Sequence, residues 1–212
     1  MKFFKALLFL LAVTFAFSAC SKKEDKDENK PVDVVVSDPV VGSAAEVEHT
    51  KVTFEIENYG DIVVETYPEH APQTVDYFLS VVENGFYNGF KIDKIVPGKY
   101  IMTSESSQDF SSDSAAAFDT TISGEFSENG RSNALKLEKY TLALNHIPGL
   151  NDTGMAQFMI MLSDNHDMDG KYAGFAKVVE GMEVVNKIIA SDFDSDGKPV
   201  SPIVMKKVYI NE

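Results

Sequence analysis

The chain has 212 residues, with 19 basic and 33 acidic side chains and a formal net charge of −14. That balance disfavours nucleic acid, whose affinity comes largely from neutralising phosphates, and suits a soluble acidic surface. Cys20 is the one cysteine, so no disulfide can form within the chain.

The first segment reads as a targeting signal. Lys2 and Lys5 give a positive start, and residues 3–17 are almost wholly apolar. Fifteen residues are short for a bilayer span, which needs about 20, and suit a signal-peptide core. Phe17-Ser18-Ala19-Cys20 closes the segment. Small residues directly before a cysteine resemble the cleavage box of bacterial lipoproteins, with Phe where Leu is commoner. The resemblance implies removal of residues 1–19, lipidation of Cys20, and acyl chains holding the protein to a membrane of the bacterial cell envelope, at the outer membrane or periplasmic face. A cleaved secretory peptide with an incidental cysteine is the alternative. Residues 20–49 then change character. KKEDKDENK concentrates charge, and no face is apolar at helical spacing, so too little surface can be buried to offset chain entropy. This is a charged tether, in which Val34-Val35-Val36 is the one run with strand character. Residues 50–212 remain, enough for one domain with a core.

Along that domain, residues 51–57 alternate. Val52, Phe54 and Ile56 share one face of a half-buried strand. Asn58-Tyr59-Gly60-Asp61 is a turn, and residues 62–67 complete a hairpin. Pro72 suits a first helical turn. Val75, Phe78, Leu79 and Val82 follow at helical spacing, and Asn84-Gly85 stops the helix. Short apolar runs separated by turn residues follow at 92–96, 140–144, 157–162, 174–179 and 203–210. A second helix is expected at 182–189, with Met182, Val185 and Ile189 inward. Many short strands with two helices indicate a barrel, which leaves no free sheet edge.

Residues 90–102, FKIDKIVPGKYIM, and 155–162, MAQFMIML, resemble the cyclophilin family of peptidyl-prolyl isomerases. So do Gly124-Glu125-Phe126, Met168-Asp169-Gly170 and Phe175-Ala176-Lys177-Val178 in their order. The resemblance covers Val52 to Ile210. It implies a mainly β fold, a closed eight-stranded barrel capped by two α-helices, with a proline groove on its outer face. It also implies cis/trans isomerisation of X-Pro bonds in proline-containing polypeptides by a monomer with no metal and no cofactor.

Residue by residue, the resemblance places Lys94 at the family's catalytic arginine, with Ile92 and Asp93 before it. The chain's single arginine, Arg131, lies elsewhere. Lysine is cationic and donates, but it lacks the planar fork of arginine. An exposed barrel lysine without a catalytic role is the other reading of Lys94. Pro97-Gly98 matches; Lys99 and Tyr100 stand at a usual Phe-Met pair, and Met102 at a glutamine that would hold a carbonyl. Thr103-Ser104-Glu105 replaces Gly-Gly-Asp, so the loop at 103–117 is expected to be reshaped. Asn145, His146, Gln157, Phe158, Met159, Met168 and Tyr172 fall at substrate-binding positions, and Asn165-His166-Asp167 makes the rim polar. His146 also reads as a surface histidine. The resulting expectation is an isomerase of reduced activity serving protein folding in the envelope. The alternative is a barrel that has lost catalysis and binds proline peptides as a chaperone module. Asp192-Phe193-Asp194-Ser195-Asp196-Gly197 matches half of a calcium loop, but Ile203 stands where the bidentate Glu belongs, so an acidic turn is expected. Asn151-Asp152-Thr153 is a glycosylation pattern without meaning in a bacterial lipoprotein.

Overall fold

The structure, a computed structural model, describes residues 47–104 and 121–212. The signal segment, Cys20, the tether to residue 46 with its valine run, and the loop at 105–120 lie outside the described residues. Eight strands form the domain: β1 (Lys51–Ile56), β2 (Gly60–Thr66), β3 (Lys91–Val96), β4 (Tyr100–Thr103), β5 (Thr141–Leu144), β6 (Phe158–Met161), β7 (Ala173–Glu180) and β8 (Ile203–Ile210). They close into a barrel in the order β1-β2-β7-β5-β6-β4-β3-β8, every pairing antiparallel. Two helices, α1 (Pro72–Glu83) and α2 (Met182–Ile189), turn their apolar faces into the same core. The expected barrel with two helices is the observed fold.

The strand absent from the apolar runs read above is β4. It is four residues long, and its existence depends on the turn before it. Lys99 N–H donates to the Val96 carbonyl at 2.9 Å, and Gly98 has φ 71°. Pro-Gly with positive φ at the glycine is the chemistry of a type II turn, which folds residues 100–103 back on β3. Thr103, placed above at the head of a loop, belongs to β4. Its buried hydroxyl accepts from Phe158 N–H at 3.1 Å.

Strand alternation sends Phe54, Ile62, Val64, Ile101, Leu142, Phe158, Ile160 and Phe175 inward. Phe78 of α1 plugs this interior: its ring lies 4.9 Å from Phe175, 5.6 Å from Tyr87 and 6.2 Å, edge-on, from Phe158. Offset and edge contacts of this kind are favourable beyond the area they bury. The buried face of α1 is Thr74, Val75, Phe78, Val81 and Val82, with Leu79 only partly buried at its edge.

Helix α1 begins without a capping side chain of its own, since Ala71 has no acceptor to offer. Glu125 supplies it from 51 residues away. One oxygen accepts from Thr74 N–H and Thr74 Oγ1, both at 2.8 Å, and the other from Gln73 N–H at 3.2 Å. Glu125 is buried, and a carboxylate at a helix N-terminus satisfies orphan donors and opposes the dipole.

The acidic stretch 192–197 is a turn. Asp194 Oδ1 accepts from Asp196 and Lys198 N–H, both at 2.9 Å, and Phe193 bridges Pro199. Pairing of β3 with β8 covers only Lys91 and Ile92. Beyond them the turn takes over the strand edge, with Ile95 N–H donating to the Gly197 carbonyl at 2.7 Å. A Cβ on Gly197 would lie 2.3 Å from the Ile95 carbonyl, and its φ is 85°. The glycine is therefore required by the approach to β3, without appeal to a metal.

Candidate functional site

The outer face of the barrel carries a second apolar cluster, separate from the interior one. Leu137, Ala143, Met159 and Met161 are buried in it, and Tyr100, Met102, Met168 and Tyr172 pack around them. Register explains the assembly. One row across the outer face runs Lys94, Met102, Met159, Ala143, through directly opposed pairs of β3, β4, β6 and β5. A second runs Val96, Tyr100, Met161. The intervening row, Ile95, Ile101, Ile160, Leu142, faces the interior. Opposed residues on one face hold their Cβ atoms about 5 Å apart, so Lys94 stands beside the methionine patch.

A bulge aims it there. Ile92 pairs with Thr103, yet Lys94 pairs with Met102, which leaves Asp93 as an extra residue. Without the bulge Ile92 and Lys94 would share a face. With it Ile92 is buried, Asp93 and Lys94 are both exposed, and Ile95 is buried again. Simple alternation, which sets Asp93 and Lys94 on opposite sides, is thus corrected: a bulge re-aims side chains in this way. Among the described residues the Lys94 side chain makes no hydrogen bond or ion pair. A cleft of about 810 Å³ extends from Lys94, Val96 and Tyr100 to Phe193 and the Asp194–Gly197 turn.

Two scaffolds hold the far wall. Asn165 is buried, and its amide donates to the Lys99 carbonyl and the Ser163 carbonyl, both at 2.9 Å. Asp169 accepts from Leu137 N–H at 2.9 Å and meets His166 at 3.1 Å and Lys136 at 3.4 Å. Burial opposes its ionisation, but these donors outweigh burial and hold its carboxyl below the usual range. Burial, with the Tyr100 phenol next, pushes Tyr172 up, so Tyr172 is a neutral phenol on an apolar body.

A family model described as cyclophilin type peptidyl-prolyl cis-trans isomerase/CLD matches residues 51–210. The chain belongs to that family. Within it, the peptidyl-prolyl cis-trans isomerase-like 2 protein of Gibberella zeae is 29% identical over 156 residues, which is 72% of this chain. This cyclophilin spans only 25% of that relative's length. The peptidyl-prolyl cis-trans isomerase of Acinetobacter baylyi is 31% identical over 140 residues, 62% of this chain and 68% of that one. A cyclophilin type isomerase of Cryptosporidium parvum shares the fold, with TM-score 0.66 at 21% identity, over 78% of this chain and 99% of its own. It has also been solved in the presence of the dipeptide Ala-Pro, with TM-score 0.64 at 21% identity, over 76% of this chain and 99% of its own.

Of the residues the sequence nominated, the outer face of this cyclophilin gathers Lys94, Tyr100, Met102, Met159, Met168 and Tyr172. Lys99 is exposed in the β3–β4 turn, its carbonyl engaged by Leu162 N–H at 2.8 Å. Ile92 and Phe158 are corrected: both lie in the interior core, because they sit at inward positions of β3 and β6. Gln157 is also buried. Its amide donates to the Thr103 carbonyl at 2.7 Å, and its oxygen accepts from Asn145, so it ties β4 to β6. His146 is not a surface histidine; it is 7% exposed. Asn165, expected on a polar rim, is an internal brace. Leu137, Ala143 and Met161 were missed as pocket residues. Parity along β6, with Met159 outward, was the signal that could have found Met161. Arg131 lies away from the patch, donating to Gln73 at 3.0 Å near the start of α1. Among the described residues, no group of three or more His, Cys, Asp or Glu could hold a metal ion.

Proposed function

We propose that this cyclophilin is a peptidyl-prolyl cis-trans isomerase of reduced activity. The observation that carries the reading is the outer-face row in which a cation, Lys94, adjoins the half-buried Met102, backed by the buried Met159 and Ala143. The barrier to be lowered is amide resonance, ~18–20 kcal/mol. In the twisted state the imide nitrogen regains its lone pair and becomes basic. A proline ring held on the methionines would place that nitrogen near the Lys94 ammonium, which donates to it. The donation is worth more in the twisted state than in either planar one, and this difference is the catalysis. No bond is broken, and the chemistry calls for no cofactor.

Reduced activity follows from the same residues. Lysine has no rigid fork, and among the described residues no partner fixes the Lys94 ammonium. Met102 cannot hold a carbonyl as an amide would, and Lys99 offers a charge where the family has an aromatic ring. The second reading, a proline-peptide binder with a chaperone role, draws on that same lack of a fixed donor. The test is an isomerisation assay of the full chain on Ala-Pro peptides. Acceleration above the uncatalysed rate is expected; peptide binding without acceleration decides for the binder.

The sequence of residues 1–20 supports a lipid anchor on Cys20, with residues 1–19 as its signal, residues 20–49 as tether and a place in the bacterial cell envelope. The clients would be proline-containing polypeptides folding there. Wild-type protein is expected to partition into the detergent phase, and Cys20→Ala into the aqueous phase. Equal partitioning of the two would remove the anchor.

A further inference from the structure

His146 is a buried titratable group that the mechanism above does not use. Its ring stacks on Phe126 at 5.2 Å and 22°, and leans on Tyr172 at 4.8 Å. Its Nδ1 lies 3.1 Å from the Ile147 carbonyl, and its Nε2 lies 2.9 Å from the Lys171 carbonyl. Both ring nitrogens therefore face acceptors. Lys171 directly precedes Tyr172, which packs on the methionine patch.

We propose that His146 is a positioning residue of the proline pocket, clasping the chain after β5 to the turn that carries Tyr172; this rests on the isomerase reading above. A neutral imidazole has one N–H and one lone pair, so it can donate to only one of the two carbonyls. The contact to Lys171 is the shorter and spans two loops, so the neutral ring carries its proton on Nε2. The Nδ1 lone pair then faces the Ile147 carbonyl without a hydrogen between them. A protonated ring donates to both. The clasp thus has a weaker and a stronger form, and the stronger one fixes the Lys171 carbonyl, and with it Tyr172, more tightly against the patch.

The surroundings add no competing charge at the ring. From the 168–172 turn the Tyr172 phenol meets it, while the Lys171 ammonium is turned to the Asp167 carbonyl at 2.9 Å. From the 124–126 segment Phe126 meets it, and the neighbouring Glu125 carboxylate is engaged at the start of α1. Among the described residues His146 forms no ion pair.

The experiment compares wild type with His146→Phe, which keeps a ring between Phe126 and Tyr172 but no donor, and His146→Gln, which keeps one donor. KM for an Ala-Pro peptide is expected to rise about three- to tenfold in His146→Phe, the scale of one lost buried hydrogen bond, with kcat changed by less. His146→Gln should recover most of the loss. Nitrogen NMR of wild type should show the neutral ring with its proton on Nε2. A folded His146→Phe protein with wild-type KM overturns the clasp. So does a neutral ring with its proton on Nδ1, a result readable in wild type whether or not either variant folds. Absence of any isomerisation by wild type sinks the isomerase reading instead. The clasp is then judged by the tautomer and by whether the Tyr172 ring resonances move in His146→Phe, where unmoved resonances overturn it.

Discussion

Lys94→Ala should lower kcat/KM on an Ala-Pro peptide by roughly 10- to 100-fold. Losing one fully preorganised donor costs on the order of 10² to 10³ in rate. Lys94 is exposed and its ammonium is held by no hydrogen bond or ion pair among the described residues, so it spends part of its time elsewhere, and its removal costs less than that. The same argument predicts which changes raise activity. Lys94→Arg supplies a fork at the bulge, and Met102→Gln, directly opposite on β4, supplies an amide that can hold both the fork and a substrate carbonyl. Lys99→Phe replaces a charge at the pocket edge with a ring. Each alone leaves the others' defect in place, so the single variants should change kcat/KM by less than about fivefold. The triple variant should exceed the product of the three, because groups that act on one transition state are strongly non-additive. The measurement is kcat/KM for wild type, Lys94→Ala, the three singles and the triple on one peptide. An isomerase indifferent to Lys94→Ala would remove the proposed role of the cation. A triple variant no better than its singles would show that the patch, rather than the donor set, limits the rate.

How much of this was legible beforehand differs between barrel and groove. β8 and α2 were read with their observed ends, because a short apolar run after Pro202 marks the one and a 3.6-residue apolar pattern the other. β4 was not, since YIMT is too short to show a period and is a strand only because Pro97-Gly98 returns it to β3. Within the groove, Tyr100, Met102 and Met159 followed from motif position, but motif position ignores strand parity and so also nominated Phe158, which faces the interior. The bulge at Asp93 could not be read, because a bulge is a mismatch between two strands and neither strand records it alone. That one residue decides whether Ile92 shares the outer face with Lys94 or turns into the core. His146 and Asn165 were misplaced for a related reason. Both are polar residues in turn-rich sequence, where exposure is the default. Their burial comes from backbone carbonyls at Lys171 and Lys99, partners that no side-chain pattern announces. Glu125 is the third such case: a motif residue whose partner lies 51 positions earlier.

Glu125→Ala should destabilise the domain by about 2–4 kcal/mol. Loss of an ordinary N-cap costs about 0.5–2 kcal/mol. Glu125 does more than an ordinary cap: it serves two backbone N–H groups and the Thr74 hydroxyl at once, and Glu125 and Thr74 are both buried. Removal leaves those donors without water to replace the carboxylate, at about 1–3 kcal/mol for an unsatisfied buried group. The contributions overlap, which keeps the total below their sum. For a domain of this size about 1 kcal/mol corresponds to roughly 2–4 °C, so Tm should fall by about 5–12 °C. Glu125→Gln keeps an acceptor but loses the charge that opposes the helix dipole, and should fall by about half as much. Thr74→Val removes one donor and nothing else, so Glu125→Ala combined with Thr74→Val should cost less than the two singles added. Arg131, whose contact with Gln73 is exposed, should contribute little. Below its own Tm the folded Glu125→Ala protein should keep its kcat, because the carboxylate faces α1 and not the outer patch. Urea or thermal unfolding of wild type and the four variants at Glu125 and Thr74 checks the energetics, and a wild-type Tm in Glu125→Ala would show that α1 needs no cap from the barrel side.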